Sequence, residues 1–183
     1  MDCEVVRYQT AGDDQSKIAD EIREAWKEAD LILTTGGVSV GEKDLLPGVI
    51  ENLTGNVLFH GIQVKPGMPT MLSVVKGTPV LSLSGNPFAV EALFEVLAGG
   101  YLTDMEASRY LQKNQMKILK QTFVKTGKMK RIVKGRCDES GVYLPQIQKN
   151  GQLKNGIGSN CLVIFPEGER TYAEGEAVRV IRI

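Results

Sequence analysis

The sequence predicts two folding units, an α/β sheet unit over residues 1–108 and a small all-β unit over residues 109–183. In the first part, apolar residues at helical spacing alternate with short apolar runs. In the second part, short alternating runs are separated by glycine-containing turns. The pattern changes near Gly99-Gly100. We therefore expect a mostly parallel, three-layer sheet followed by a small barrel or sandwich.

The start of the chain predicts a parallel strand–helix–strand unit. Cys3–Tyr8 suits a short strand, and Asp13-Asp14 is suited to cap a helix over Gln15–Ala29. Apolar side chains recur every three or four residues along that helix. Leu31–Leu33 follows as a buried strand. Elements in this order favour a parallel crossover unit.

The rest of the first part predicts two more helices and three strands. They are the helix Leu45–Leu53, the strands Val57–Phe59, Thr70–Val75 and Pro79–Leu83, and the helix Phe88–Leu97. Pro47 is tolerated in a first helical turn. Asn86 suits an N-cap and Pro87 a first helical residue.

The second part predicts short strands at nearly regular spacing. They are Lys117–Lys125, Lys128–Lys134, Val142–Gln148, Cys161–Phe165 and Ala177–Ile183. Its basic run consists of Lys125, Lys128, Lys130, Arg131, Lys134 and Arg136. No aromatic residues for base stacking are interleaved with this run, so we interpret it as a solvated strand face.

The composition excludes several functional classes. Twenty-two basic and 22 acidic residues leave no net charge, so the sequence does not predict a nucleic-acid or membrane partner. Cys3, Cys137 and Cys161 are far apart, which argues against a disulfide framework or a zinc site. A polar start and the lack of a membrane-length apolar run predict a cytoplasmic protein.

A glycine-rich loop after the Leu31–Leu33 strand is the first candidate site. Gly36, Gly37 and Gly41 allow close backbone approach, and the hydroxyls of Thr34, Thr35 and Ser39 suit an anion. Asp44 is compatible with a bound anion if Mg²⁺ lies between them. Glu42 stands where a P-loop requires lysine. The alternative is a plain connection in which Asp44 is an ordinary first-turn charge.

The second candidate site is the corner Ser84-Gly85-Asn86-Pro87. A capped helix start predicts free backbone N–H groups pointing out of the sheet, which suits an anion. The alternative is a capped helix without a ligand. Lys65 precedes a proline, which predicts an extended backbone. Its alternative interpretation is a solvated strand-end lysine.

Four segments together resemble one family. They are Thr34–Asp44, Lys65–Pro69, Ser84–Pro87, and a tail containing Lys154–Asn160 and Gly175–Val178. They are similar to the molybdopterin molybdenumtransferases (MoeA), relatives of the gephyrin E domain. The resemblance implies a molybdenum-cofactor-binding fold and an enzyme that inserts molybdate into adenylylated molybdopterin with Mg²⁺, releasing AMP. It also implies a homodimer for the full-length protein.

The resemblance also implies roles for individual residues. Asp44 matches the acidic residue that closes the glycine motif, and Asp13 matches the aspartate before the preceding helix. Catalysis and Mg²⁺ binding are expected of both. Substrate binding is expected of Thr35, Gly36, Gly37, Ser39, Gly41, Lys65, Ser84, Gly85, Asn86 and Pro87.

Three departures from the family pattern bear on activity. Ser84 replaces the usual first proline of its loop, and Gly61, beside His60, stands where relatives often carry lysine. The family's N-terminal domains and first strand are not found before Met1, so we expect a fragment that binds pterin with little turnover alone. Two alternatives remain, an adenylyltransferase-like nucleotide or pterin binder and a non-catalytic scaffold. Val38-Ser39-Val40 and residues 109–183 argue against the adenylyltransferase.

Overall fold

The computed structural model describes residues 3–39, 44–99, 114–145 and 158–183. They divide into two compact units, one of Met1–Ile62 with Gly67–Leu93 and one of Gln63–Pro66 with Phe94–Ile183. The predicted boundary at residue 108 lies outside the described residues and stays a prediction. So do Gly41 and most of the tail segment Lys154–Asn160.

The described residues of the first unit form three α-helices, α1 (Gln15–Ala25), α2 (Leu46–Asn52) and α3 (Pro87–Leu93). The predicted caps are confirmed at two of them. Asp14 Oδ1 accepts hydrogen bonds from the N–H groups of Ser16 and Lys17 at 3.0 and 3.2 Å. Asn86 Oδ1 accepts two at the start of α3. Pro47 lies in the first turn of α2, where its missing N–H costs no hydrogen bond.

The sheet of the first unit is mixed, so the prediction of a mostly parallel sheet is wrong for the described residues. Its strands are β1 (Ile32–Thr35), β2 (Asn56–His60), β4 (Met71–Val75) and β5 (Thr78–Leu83), in the order β1-β5-β4-β2. Among its described strands, the pair β1–β5 is parallel, whereas β5–β4 and β4–β2 are antiparallel. The three-layer arrangement stays a prediction.

A two-residue hairpin explains the antiparallel pairing of β4 and β5. Lys76 and Gly77 both have positive φ, at 52° and 90°, and they join Val75 directly to its partner Thr78. A two-residue link makes a hairpin, whereas a parallel connection needs a crossover of about a dozen residues or more.

The predicted strand at Cys3–Tyr8 is also absent, and with it the predicted crossover. This segment has no regular secondary structure. Arg7 instead forms a 2.7 Å ion pair with Glu21 on α1 and a 3.8 Å ion pair with Glu28, which lies three residues after α1. An extended segment becomes a strand only when another strand completes its hydrogen bonds, which the local pattern does not reveal.

One face of this sheet packs on α1 and α2. Sheet residues Ile32, Met71 and Val80 form a buried cluster with α1 and α2 residues that include Ile22 and Val49. Val38, from the loop after β1, is 1% exposed and belongs to the same cluster. The cluster therefore anchors the middle of the glycine-rich loop to the core.

The second unit is built from short strands, as predicted. They are β3 (Val64–Lys65), β6 (Asn114–Ile118), β7 (Phe123–Lys125), β8 (Lys130–Cys137), β9 (Val142–Tyr143), β10 (Cys161–Phe165), β11 (Arg170–Tyr172) and β12 (Ala177–Arg182). One sheet has the order β3-β8-β10-β12-β6, with β9 paired to β8, and β7 pairs with β11. A π-helical turn, Phe94–Ala98, also belongs to this unit. Barrel or sandwich closure stays a prediction.

Lys125 contradicts the solvated-face interpretation of the basic run. It is 1% exposed, and its ammonium group donates hydrogen bonds to the carbonyls of Gly127 and Gly168. Those carbonyls satisfy a charge that burial would otherwise penalise. Lys128, Lys130 and Arg136 are exposed, in agreement with the prediction.

None of the helices that the structure describes is long and apolar enough to span a membrane.

Candidate functional site

The glycine loop and the Ser84–Pro87 corner lie side by side. β1 and β5 are parallel neighbours, so both corners begin at the same end of the sheet, where these two strands end. The Gly36 N–H donates a 2.9 Å hydrogen bond to the Leu83 carbonyl. A Cβ built on Gly85 would lie 3.6 Å from Gly36 Cα. The two corners thus meet at the carboxyl ends of parallel strands, where open α/β sheets bind ligands.

Two glycines determine the path of the first corner. Gly36 and Gly37 have φ values of 84° and 66°, in the left-handed region that costs other residues about 1–2 kcal/mol each. The Gly37 carbonyl accepts a 3.1 Å hydrogen bond from the Leu46 N–H at the start of α2. The loop therefore turns sharply at the end of β1 and closes onto the next helix.

Several hydroxyl groups lie near the carboxyl ends of β1 and β5. Thr34 and Ser82 are paired in register on β1 and β5, and Ser84 lies two residues further along the same face. Among the described residues, Thr34 Oγ1, Ser82 Oγ and Ser84 Oγ are buried without a hydrogen-bond partner. Thr35 and Ser39 are exposed. Ser82 is missing from the predicted set, although its spacing of two residues from Ser84 is a usable signal.

His60 contacts the middle of the glycine-rich loop at Val38. Its Nε2 lies 2.8 Å from the Val38 carbonyl oxygen. A carbonyl only accepts hydrogen bonds, so Nε2 carries the proton in this contact. The sequence gives no local signal for it, because His60 and Val38 are 22 residues apart.

The second corner differs from its prediction. Asn86 Oδ1 accepts the N–H groups of Phe88 and Ala89 at 3.0 and 3.2 Å. Those donors serve the helix cap and are not free for an anion, so the expectation of free N–H groups is wrong for these two residues. The corner exposes the Gly85 backbone instead, and the Ser84 hydroxyl lies buried beneath it without a hydrogen-bond partner.

The remaining candidate residues are dispersed. Asp44 is half-buried, two residues before α2. Asp13 is exposed one residue before the α1 cap. Lys65 is exposed on β3 in the second unit, and Pro87 is exposed at the start of α3. Across the part of the chain that the structure describes, no group of three or more His, Cys, Asp or Glu side chains is arranged to hold a metal ion.

Sequence comparisons find a matching family model and several similar proteins. A family model described as "Probable molybdopterin binding domain" matches residues 1–104. A molybdopterin molybdenumtransferase of Staphylococcus aureus strain COL is 30% identical over 183 residues, which cover 97% of this chain and 44% of that protein. The corresponding enzyme of Staphylococcus epidermidis strain ATCC 35984 is 27% identical with the same coverage. The chain thus spans less than half the length of these relatives.

Solved structures give the same picture for the fold. A molybdopterin biosynthesis MoeA protein from Pyrococcus horikoshii has a TM-score of 0.75 and 28% identity, covering 93% of this chain and 41% of that one. A molybdenum cofactor biosynthesis protein from Pyrococcus furiosus has a TM-score of 0.69, and at 24% identity it supports the fold alone. It covers 93% of this chain and 55% of that one.

Proposed function

The chain belongs to the probable molybdopterin binding domain family, and from that premise we propose that its two adjacent corners bind the phosphate-bearing end of molybdopterin. The observation that carries the proposal is their contact, the 2.9 Å hydrogen bond from the Gly36 N–H to the Leu83 carbonyl. A phosphate needs several donors converging from different segments. Adjacent corners rich in glycine and hydroxyl groups offer that arrangement.

Particular groups are suited to particular parts of the ligand. The exposed hydroxyls of Thr35 and Ser39, and the backbone N–H of Gly37, suit the phosphate oxygens, whereas the Gly36 N–H is already bonded to the Leu83 carbonyl. Gly85 has no side chain to obstruct a ligand above the second corner. The chain has no net charge, so it offers no long-range attraction and must bind the anion through these local groups. We retain Gly41, Asn86 and Pro87 as proposed substrate contacts.

Asp44 suits a magnesium ion that arrives with the phosphate. Proteins usually bind Mg²⁺ through one or two carboxylates together with substrate phosphates, rather than through an all-protein cage. One half-buried carboxylate at the end of the glycine loop fits that donor set. When bound, Mg²⁺ would neutralise phosphate charge and polarise the phosphorus. Asp13 is the second proposed ligand, and Lys65 is a proposed counter-charge for an anionic substrate.

For the whole protein we propose the reaction that the family resemblance implies. Molybdate and adenylylated molybdopterin would be the substrates, and the metal-loaded cofactor and AMP the products. Asp44 and Asp13 are the proposed catalytic residues. We further propose a cytoplasmic location and a homodimer for the whole protein. Binding is the step that the described residues support, so the decisive experiment measures binding.

The test is equilibrium dialysis of the chain against molybdopterin under anaerobic conditions, with Mg²⁺ or with EDTA. We expect saturable binding that Mg²⁺ strengthens about tenfold. Asp44→Asn should remove the magnesium effect and keep affinity in EDTA within about twofold of the wild type. Asp30→Asn, an exposed carboxylate just before β1, is the matched control and should retain the effect.

Two results would count against this proposal. Absence of saturable binding would reject the ligand. A full magnesium effect in Asp44→Asn would reject the assignment of Asp44 while leaving the pterin site intact, provided that urea denaturation shows the variant to be folded.

A further inference from the structure

The hydrogen bond between His60 and Val38 connects the loop that follows β1, one outer strand of the sheet, to β2, the other outer strand. β1 and β2 are the two edges of the order β1-β5-β4-β2. Three strand spacings separate these edges, which amounts to about 14 Å. Nevertheless, Val38, three residues after the end of β1, accepts a hydrogen bond from His60 at the end of β2. The glycine-rich loop thus extends across the ends of the strands as far as Val38, and a hydrogen bond joins Val38 to the last residue of the outer strand β2.

The strand register shows what lies beneath the crossing. His60 pairs with Met71, Met71 with Ser82, and Ser82 with Thr34. These four residues form one row across the sheet, with a histidine at one end and a threonine at the other. Met71 and Ser82 are fully buried. The loop between Gly36 and Ser39 therefore lies over this row, with the Val38 side chain in the core.

The hydrogen bond also sets the direction of the next amide. The peptide unit between Val38 and Ser39 is planar, and in the trans form its C=O and N–H point in opposite directions. Because the Val38 carbonyl points at His60, the Ser39 N–H points away from it. Ser39 itself is exposed, so a ligand can approach this residue from solvent.

We propose that His60 is a positioning residue that fixes the Val38–Ser39 peptide so that the Ser39 N–H is directed at an anionic group of the ligand. The inference rests on the proposed pterin site and adds to it a residue from the opposite edge of the sheet. His60 touches no ligand itself. Its part is to reduce the number of loop conformations that binding must otherwise select, and such preorganisation increases affinity without a new contact.

Two substitutions separate this role from general stability. His60→Ala removes the donor. His60→Gln restores one, because the glutamine amide nitrogen lies the same number of bonds from Cα as Nε2 and also donates to a carbonyl. Asn56→Ala is the matched control, since Asn56 is exposed at the start of the same strand. Urea denaturation checks that every variant is folded.

The first measurement is heteronuclear NMR of the chain without ligand, which suits a protein of 20.0 kDa. In His60→Ala we expect a changed Ser39 amide chemical shift and about fivefold faster exchange of the loop amides with solvent, as expected for loss of one hydrogen bond. His60→Gln and Asn56→Ala should stay within about twofold of the wild type. If the chemical shifts and exchange rates of the loop amides are unchanged in His60→Ala, the claim that the His60–Val38 hydrogen bond restrains the loop is wrong.

The second measurement is the affinity for molybdopterin by equilibrium dialysis. His60→Ala should bind about three- to tenfold more weakly, and His60→Gln should recover most of the loss. Wild-type affinity in His60→Ala, together with a loosened loop, would overturn the positioning role. If the wild-type chain fails to bind molybdopterin, the proposed function and the ligand half of this inference both fail. The NMR experiment needs no ligand and still shows whether His60 restrains the loop, so the two failures are distinguishable.

Discussion

The substitution Gly85→Ala tests whether the two corners form a ligand site or only a packing contact. Gly85 lies outside the left-handed region, so alanine causes no backbone strain there. The added Cβ would lie 3.6 Å from Gly36 Cα, which is an ordinary van der Waals distance. Gly85 is also exposed. The methyl group therefore enters the space beside the Gly36 corner without disturbing the fold.

The expected effects on stability and on binding have different sizes. An unstrained glycine-to-alanine change raises the free energy of unfolding by about 0.4–1 kcal/mol, because it restricts the unfolded chain. Binding should weaken at least about tenfold, or about 1.4 kcal/mol, because the methyl group occupies the approach of the phosphate to both corners. The protein should thus become slightly more stable and a poorer binder.

The assay combines urea denaturation with dialysis against molybdopterin. Gly48→Ala on α2 is the matched control, because its Cβ would lie 3.8 Å from Gln15 Nε2 and the change favours the helix by about 1 kcal/mol. It should gain stability and keep its affinity. Unchanged molybdopterin affinity in Gly85→Ala would refute the argument. So would a loss of stability above about 2 kcal/mol, because it would contradict the geometry of the corner.

Two further predictions concern stability. Gly67→Ala places a Cβ 2.1 Å from Leu93 Cδ1 at a φ of 103°, so urea denaturation should show a loss of about 2–4 kcal/mol, and a loss below about 0.5 kcal/mol would be inconsistent with this packing. Burial, reinforced by the neighbouring Cys137, raises the pKa of Cys161 from 9.0 to about 12. The folded state therefore keeps a proton that the unfolded state loses, so the stabilisation is complete below pH 9.0 and declines as the pH rises towards about 12. Unfolding measured between about pH 7 and about pH 10.5 should show this decline in the wild type and a smaller one in Cys161→Ala. Equal slopes in the two proteins would contradict the shifted thiol.

Features encoded by neighbouring residues could be predicted from the sequence. The caps at Asp14 and Asn86 were correct, because a cap depends on one side chain and the next few N–H groups. The strand Cys161–Phe165 was predicted with its observed limits, because a short apolar run between turn-forming residues, here Asn160 and Pro166, indicates a buried strand. Both candidate corners follow strands, as predicted, because an apolar run that leads into a glycine-containing stretch marks the end of a strand.

Features that depend on distant partners could not be predicted. The hairpin at Lys76-Gly77 is a local exception, because the positive φ angles that make β5 antiparallel to β4 are seen only in the structure. Lys125 is buried because carbonyls from two separate turns reach its ammonium group. The bond between His60 and Val38 joins opposite edges of a sheet whose strand order the sequence does not specify.

The most direct test of the central claim is an NMR titration of the wild-type chain with molybdopterin. If the two corners form the site, saturable shifts should concentrate in the amides of Gly36–Ser39 and Ser84–Gly85. Absence of saturable binding, or shifts confined to the second unit, would contradict it.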